Sequence, residues 1–242
     1  MKRSEIDSAI ARSIASAKTF GIGLPMWADW SPEQFDSTTV GIRDQKLGWK
    51  VVDFGLGDFQ HCGLVLFVLC NPLTDDVGEP LSKSSFVGTN EYPPTSFSRK
   101  YLFVQAGQTE PHHFHRQKTV KLVTLVAGDR VRFELAWAEG DKTLSQKSVR
   151  VQVDGVWHDL PANGELFLRA GETILLPSEL SHIIQVMPGD SDVILQETST
   201  ANNDRKDNIF PFIAPTSSPI EEDSKPRYQL LDEQHDLSGS KT

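Results

Sequence analysis

The chain has 242 residues, of which 24 are basic and 33 acidic, and its formal net charge is -9. This acidic balance argues against a duplex nucleic-acid binder, which needs a cationic face. Two cysteines, Cys62 and Cys70, are too few for a disulfide framework. The longest apolar run, 63–70, is far shorter than the ~20 residues of a membrane-spanning helix. We therefore expect a cytoplasmic protein with neither nucleic acid nor a membrane as its partner.

The amino terminus predicts an amphipathic helix. Ser4 and Asp7 have the spacing of a capping box, which predicts that the helix begins at Ser4. Gly21 is a natural stop for a helix. The apolar side chains that share one face are Ile6, Ile10, Ile14 and Ala17.

The rest of the chain has the sequence pattern of a β protein. Short apolar or alternating runs stand between glycines, prolines and polar residues, a pattern that favours a sandwich or barrel. Asp154 and Gly155 form a type I′ hairpin signal between two such runs. Residues 71–94, rich in proline and serine, predict a long surface connection. The predicted strands are 50–54, 63–70, 101–105, one around 113–115, 121–126, 131–137, 149–153, 156–157, 166–169, 173–176 and 193–197.

Three of the seven histidines fall within four positions, at His112, His113 and His115. Residues two apart on a strand face the same side, so His113 and His115 can present their imidazoles together while His112 faces away. Imidazole is the commonest protein ligand for transition metals. Upstream, Gly107 predicts a turn that leads into this strand, and downstream His182 follows a second glycine- and proline-containing block. The alternative for a bare His-x-His is a solvated polar cluster at the start of a strand.

These two blocks resemble the paired motifs of the cupin superfamily, whose fold is a double-stranded β-helix, or jelly-roll barrel. In that superfamily the first motif supplies two histidines and a glutamate, and the second motif supplies a third histidine. All four bind one metal inside the barrel. The resemblance implies that the metal ligands here are His113, His115 and His182.

A longer resemblance, to the D-lyxose ketol-isomerases of that superfamily, extends over nearly the whole chain. It rests on 1–7 (MKRSEID), 28–33 (ADWSPE), 47–49 (LGW), 53–55 (DFG), 57–59 (GDF), Lys100, Glu197, Ser199, Asn202, Asp204, Asp207, Asn208, Phe210, 220–223, 225–226 and Tyr228. It implies a mainly β fold, a cupin barrel with an N-terminal helix and extra N-terminal strands. We expect a single cupin domain over 1–242, in which 1–98 pack on a barrel core of 99–212. Residues 213–242 form a C-terminal extension whose polar end, 232–242, is typical of disorder.

The same resemblance implies a homodimeric, metal-dependent isomerase that acts on D-lyxose or a related free sugar, with manganese as the expected divalent metal ion. Aldose–ketose isomerisation moves a proton between neighbouring carbons through an enediol, and a buried carboxylate suits that task. Glu197 is the candidate base, Asp207 is the second carboxylate, and Lys100 is the candidate for binding a hydroxyl or neutralising the enediolate. Without the resemblance, these residues would be interpreted as a surface glutamate, a turn aspartate and a solvated lysine.

The chain departs from the isomerases at one metal ligand. The family glutamate stands five residues after the second strand histidine, and here that position is Val120, which cannot bind a metal. Three neutral histidines suit Zn²⁺ better than Mn²⁺, which prefers oxygen ligands. Glu110 is near in sequence, but nothing in the sequence fixes its direction.

Three functional hypotheses therefore stay open. The first is a working isomerase with an altered metal site. The second is a non-catalytic or repurposed cupin, a sugar-binding or three-histidine metal protein that has lost isomerase activity with the glutamate. The third is a three-histidine iron or zinc oxygenase-type cupin, which the isomerase motifs outside the barrel disfavour.

Overall fold

The computed structural model describes residues 1–36, 39–72, 97–117, 120–200, 207–216 and 218–233. The predicted surface connection beyond position 72 lies outside the described residues. Of the end predicted to be disordered, 232–242, the first two residues belong to a short 3-10 helix, Leu231–Glu233, and the rest lies outside the described residues. The same holds for Asn202 and Asp204, two of the positions that carry the family resemblance.

The predicted N-terminal helix is present as α1, Arg3–Thr19, and it ends before Gly21 as expected. Gly21 has a φ of +70°, a conformation that favours glycine. The predicted start at Ser4 is wrong, because the N-cap is Lys2, whose N–H donates to the Glu5 carboxylate at 2.9 Å. The buried residues of its face include Ile6, Ile10 and Ala17.

Strands make up most of the remaining described chain. In chain order they are β1 (Gly48–Val52), β2 (Leu64–Cys70), β3 (Phe97–Val104), β4 (Thr109–His115), β5 (Val120–Ala127), β6 (Arg130–Trp137), β7 (Val149–Val153), β8 (Val156–Leu160), β9 (Gly164–Arg169), β10 (Thr173–Pro177), β11 (Leu180–Gln185), β12 (Val193–Thr200) and β13 (Asn208–Ile209). A short helix, α2 (Val40–Asp44), precedes β1. Strands β11 and β13 were not predicted, because polar residues interrupt the apolar pattern of the first and the second is only two residues long.

Two antiparallel sheets face each other. The larger has the order β1-β2-β3-β12-β5-β10-β7-β8, and the smaller has the order β13-β4-β11-β6-β9. The predicted hairpin turn joins β7 to β8, with positive φ at both Asp154 and Gly155. This arrangement confirms the predicted mainly β jelly-roll barrel with an N-terminal helix and extra N-terminal strands.

Two apolar cores fix the position of the sheets. The inner core lies between them and includes Phe133, Leu135, Val123 and Leu125. The outer core lies between the larger sheet and α1, and its buried residues include Ile10, Trp49, Phe67 and Ile194. Strands β1 and β2 thus extend the larger sheet and carry the helix on their outer side. Nothing in this packing tests the expected limits 1–98, 99–212 and 213–242, which stay a prediction.

None of the helices in the described ranges is long and apolar enough to cross a membrane. Cys62 is a free thiol, and the Sγ of Cys70 lies 3.9 Å from the backbone carbonyl oxygen of Phe97.

Strand β5 alternates between the two faces of the larger sheet from Val120 to Leu125. Lys121, Val123 and Leu125 are buried toward the inner core, whereas Val120 and Leu122 are 40% and 37% exposed on the outside. The alternation follows from the two-residue period of a strand. It decides which residue of this strand enters the barrel.

Two leucines of β5 test this assignment of faces. Leu125→Ala removes a fully buried side chain and should lower the free energy of unfolding by about 2–5 kcal/mol. Leu122→Ala removes an outward side chain of the same size that is 37% exposed, so it should lower the free energy of unfolding by only about 1 kcal/mol. Urea unfolding followed by tryptophan fluorescence measures both, and equal losses would contradict the assignment.

Candidate active site

One end of the barrel interior is polar. On the neighbouring strands β3, β12 and β5, most of the side chains that point into the barrel are apolar. Leu102 on β3 and Leu195 on β12 are examples. Near one end of these strands, the side chains that point into the barrel are polar. These polar residues are Ser98 and Lys100 on β3, Glu197 and Ser199 on β12, and Lys121 on β5.

The three predicted metal ligands meet opposite these strands. His113 and His115 come from β4 and His182 from β11, where His182 pairs directly with His113 across the ladder. One potential ligand atom from each lies within 4.8 Å of those of the other two, and all three residues are buried. We call them the histidine cluster. His112 faces away, as predicted, and its Nδ1 lies 3.1 Å from the Ser181 hydroxyl.

Backbone carbonyls set the orientation of two of these rings. The Nδ1 of His182 lies 3.0 Å from the carbonyl of Leu180, and the Nδ1 of His113 lies 3.0 Å from the carbonyl of Pro111. A carbonyl only accepts, so each Nδ1 carries the proton and donates it. In the neutral rings the lone pair is therefore on Nε2.

Complete burial keeps His182 neutral. Burial lowers the pKa of His182 well below its usual value, and the positive charge of Lys121 adds to the effect. A neutral ring can accept a hydrogen bond or bind a metal through Nε2.

Glu197, the predicted base, lies between two lysines. Its Oε1 is 3.3 Å from the Nζ of Lys100 and its Oε2 is 3.3 Å from the Nζ of Lys121. The hydroxyl of Ser199 donates to Oε1 at 3.3 Å. The Glu197 side chain is 2% exposed, so it is not a surface glutamate. Lys100 faces it directly, because the two residues are register partners on β3 and β12.

Asp207 lies behind the histidine cluster. Its Oδ1 accepts the backbone N–H of Arg116 at 2.9 Å, and its Oδ2 is 3.4 Å from the Nδ1 of His115. The carboxylate is fully buried. A carboxylate in this position orients an imidazole and strengthens its Nε2 as a ligand or acceptor. This geometry suits a positioning residue for His115.

A β-bulge brings a third acidic group, Glu110, close to the histidine cluster. In the pairing of β4 with β11, His113 lies opposite His182 and Glu110 lies opposite Ile184. Strand β4 therefore has one more residue than β11 between these two pairs. Glu110 and His113 therefore share a face, and the Glu110 Oε1 is 3.5 Å from the His113 Nε2. Phe210 closes this side by stacking on His113 at a centroid distance of 5.4 Å.

Sequence analysis missed Lys121. Its Nζ lies 3.1 Å from the Nε2 of His182 and 3.4 Å from the Nε2 of His115, and its side chain is 3% exposed. The position of the family glutamate is the preceding residue, Val120, whose side chain points out of the barrel. The signal that would have found Lys121 is its alternation with Val123 and Leu125, which places a lysine in an apolar stripe.

The histidine cluster alone could hold a metal ion, because one ring nitrogen of each histidine lies within 4.8 Å of those of the other two. Lys121 does not fit such an ion. Each Nε2 has a single lone pair, and the lysine donors point at those of His115 and His182. An ion bound about 2.0–2.1 Å from these nitrogens would compete with the ammonium for the same lone pairs. With Lys121 where it lies, the site does not accommodate a divalent cation.

Proteins similar to this chain include sugar isomerases. The family model described as D-lyxose isomerase matches residues 1–234. A D-lyxose/D-mannose isomerase of Serratia proteamaculans is 32% identical over 96% of this chain and 97% of its own length. Another from Escherichia coli O157:H7 is 30% identical over 96% of this chain and 93% of its own length.

Solved structures share the fold at lower identity. The L-ribose isomerase of Cellulomonas parahominis superposes with a TM-score of 0.55 at 17% identity, over 91% of this chain and 98% of that one. The L-ribose isomerase of Acinetobacter sp. DL28 does so with a TM-score of 0.56 at 16% identity, over the same shares. The match of the family model over almost the entire sequence shows that the chain belongs to the D-lyxose isomerase family.

Proposed function

We propose that the protein is an aldose–ketose isomerase that acts on a free monosaccharide of the D-lyxose or D-mannose type, by proton transfer through an enediol. One observation carries the proposal: a buried carboxylate, Glu197, lies between two lysine ammonium groups beside three imidazoles. The substrates in the names of the two curated relatives guide the choice of sugar.

Each group of this cluster has a task in the proposed reaction. Glu197 takes the proton from C2 of the open-chain aldose and returns it to C1, the role of a general base and then acid. The hydroxyl proton on O2 passes to O1, so the C1 aldehyde becomes a hydroxyl group and C2 becomes the ketone carbonyl. The two oxygens of the enediolate gain negative charge as the proton leaves. Lys100 and Lys121 stabilise that charge, because a desolvated ammonium at short range interacts strongly with an oxyanion.

A divalent metal is the cofactor that the family resemblance implies, and when bound it would polarise two neighbouring sugar oxygens. The histidine cluster would favour Zn²⁺ over Mn²⁺, since all of its donors are nitrogen. Because Lys121 stands at the same place, no step of the proposed reaction depends on the metal. Assays therefore include chelator-treated protein and protein with added Zn²⁺ or Mn²⁺.

A second candidate is a cupin that binds a sugar without converting it. The observation that favours it is the engagement of both Glu197 oxygens by lysines, which opposes proton abstraction. Binding of D-lyxose or D-mannose, detected by calorimetry without ketose formation, would support this alternative.

Replacing the proposed base tests the isomerase. Glu197→Gln keeps the size of the side chain and removes its ability to take a proton, so kcat should fall by about 10²- to 10⁴-fold. Proton NMR in D₂O measures ketose formation from D-lyxose and D-mannose. It also shows whether deuterium enters the sugar, as proton exchange through an enediol requires.

The neighbouring position on β12 offers a matched control. Gln196 faces outward and accepts a hydrogen bond from Arg99 at 2.8 Å. Gln196→Glu should leave kcat unchanged, and the double variant Gln196→Glu with Glu197→Gln should be as inactive as Glu197→Gln alone. Activity in the double variant, or wild-type activity in Glu197→Gln, would rule out Glu197 as the base.

We also propose that the protein is a homodimer and that it acts in the cytoplasm, as the family resemblance implies. Light scattering coupled to size-exclusion chromatography should give twice the chain mass of 26.9 kDa. A mass of one chain at micromolar concentration would contradict the dimer.

A further inference from the structure

Lys121 is a buried cation with a complete set of partners. Its side chain is 3% exposed, and a lysine at this depth is stable only when its charge is compensated. The ammonium carries three N–H donors and no acceptor. Three acceptors face it: the Nε2 of His182 at 3.1 Å, the Nε2 of His115 at 3.4 Å and the Oε2 of Glu197 at 3.3 Å.

The surroundings of these acceptors favour this arrangement. The Nδ1–H of His182 donates a hydrogen bond to the Leu180 carbonyl, so the Nε2 lone pair can accept one from Lys121. The Nδ1 of His115 faces the buried carboxylate of Asp207, which likewise favours a lone pair on Nε2. Both rings are thus set to accept from a donor at the centre of the site.

We propose that the Lys121 ammonium is the resident cation of this centre, and that it occupies the position among the histidines where a divalent metal would bind. A divalent ion with one carboxylate ligand adds one net positive charge, and so does a single lysine. The ammonium also uses the lone pairs that a metal needs. The isolated protein therefore holds no stoichiometric metal.

The proposal has a consequence for catalysis, which rests on the proposed isomerase function. Lys121 supplies the positive charge that stabilises the enediolate oxygen, with Glu197 beside it as the proton carrier. Isomerase activity is therefore insensitive to EDTA.

Metal binding by the full-length protein tests the assignment. Metal content of the purified wild type is measured by mass spectrometry, and Co²⁺ is titrated while its visible absorption is followed. The wild type should contain no stoichiometric metal and show no tetrahedral Co²⁺ spectrum. Lys121→Met keeps the length of the side chain and removes its charge, so it should bind one Co²⁺ or Zn²⁺ per chain about 10²-fold more tightly or better.

The adjacent residue provides the control. Val120→Glu adds a potential ligand on the outer face of β5, where it cannot reach the histidine cluster, so metal binding should stay at the wild-type level. Lys121→Gln serves as a second neutral variant if Lys121→Met does not fold. The Co²⁺ titration of the wild type needs no variant.

Two results would overturn the proposal. One is wild-type protein with one tightly bound metal per chain. The other is a folded neutral variant at position 121 that binds metal no better than the wild type. Isomerase activity is scored separately: a metal-free wild type without activity would contradict the proposed function and still support Lys121 as the resident cation.

Discussion

A carboxylate at 2% exposure inside a barrel needs compensating charge, and Glu197 obtains it from two sides. Lys100 comes from the neighbouring strand β3 and Lys121 from the neighbouring strand β5. The contact with Glu197 holds the Lys121 ammonium at the rings of His115 and His182. Removal of this carboxylate would leave two buried ammonium groups close together, so the order of the whole centre depends on it.

The barrel can contain such a charged centre and remain stable because its polar groups lie together at one end. The apolar lengths of β3, β5 and β12 pack in the inner core, and only their polar ends face the histidine cluster. Burial at this end lowers the pKa of His182 and so disfavours its charged form. The carboxylate of Glu197 lies within 3.3 Å of both lysine ammonium groups.

Much of the histidine cluster could be predicted from the sequence. Side chains two residues apart on a strand point to the same face, and the His-x-His pattern has this spacing. That spacing put His113 and His115 on one face. Resemblance to a family added Glu197 and Lys100, which the β3–β12 register brings together. The resemblance pointed to position 120, where the family has a glutamate. In β5, however, the side chains that point into the barrel are those of the odd-numbered residues, so Lys121 was not predicted.

Other features depended on tertiary contacts that no local pattern contains. Helix α1 begins at Arg3, where the backbone N–H donates to the carbonyl of Glu221 at 2.9 Å, far away in the sequence. Asp207 looks like a turn residue in the sequence, and only the approach of β13 to β4 sets it behind His115. The direction of Glu110 is likewise decided by the pairing of β4 with β11.

The bulge in β4 gives the backbone control over the charge inside the barrel. In a regular strand Pro111 would share a face with His113 and Glu110 would point to the opposite side, so the bulge is what turns Glu110 toward the imidazoles. A change in register that removed the bulge and kept every residue would therefore turn this acidic group away from them. The charge near the imidazoles of this protein therefore depends on strand register as well as on which residues the strand contains.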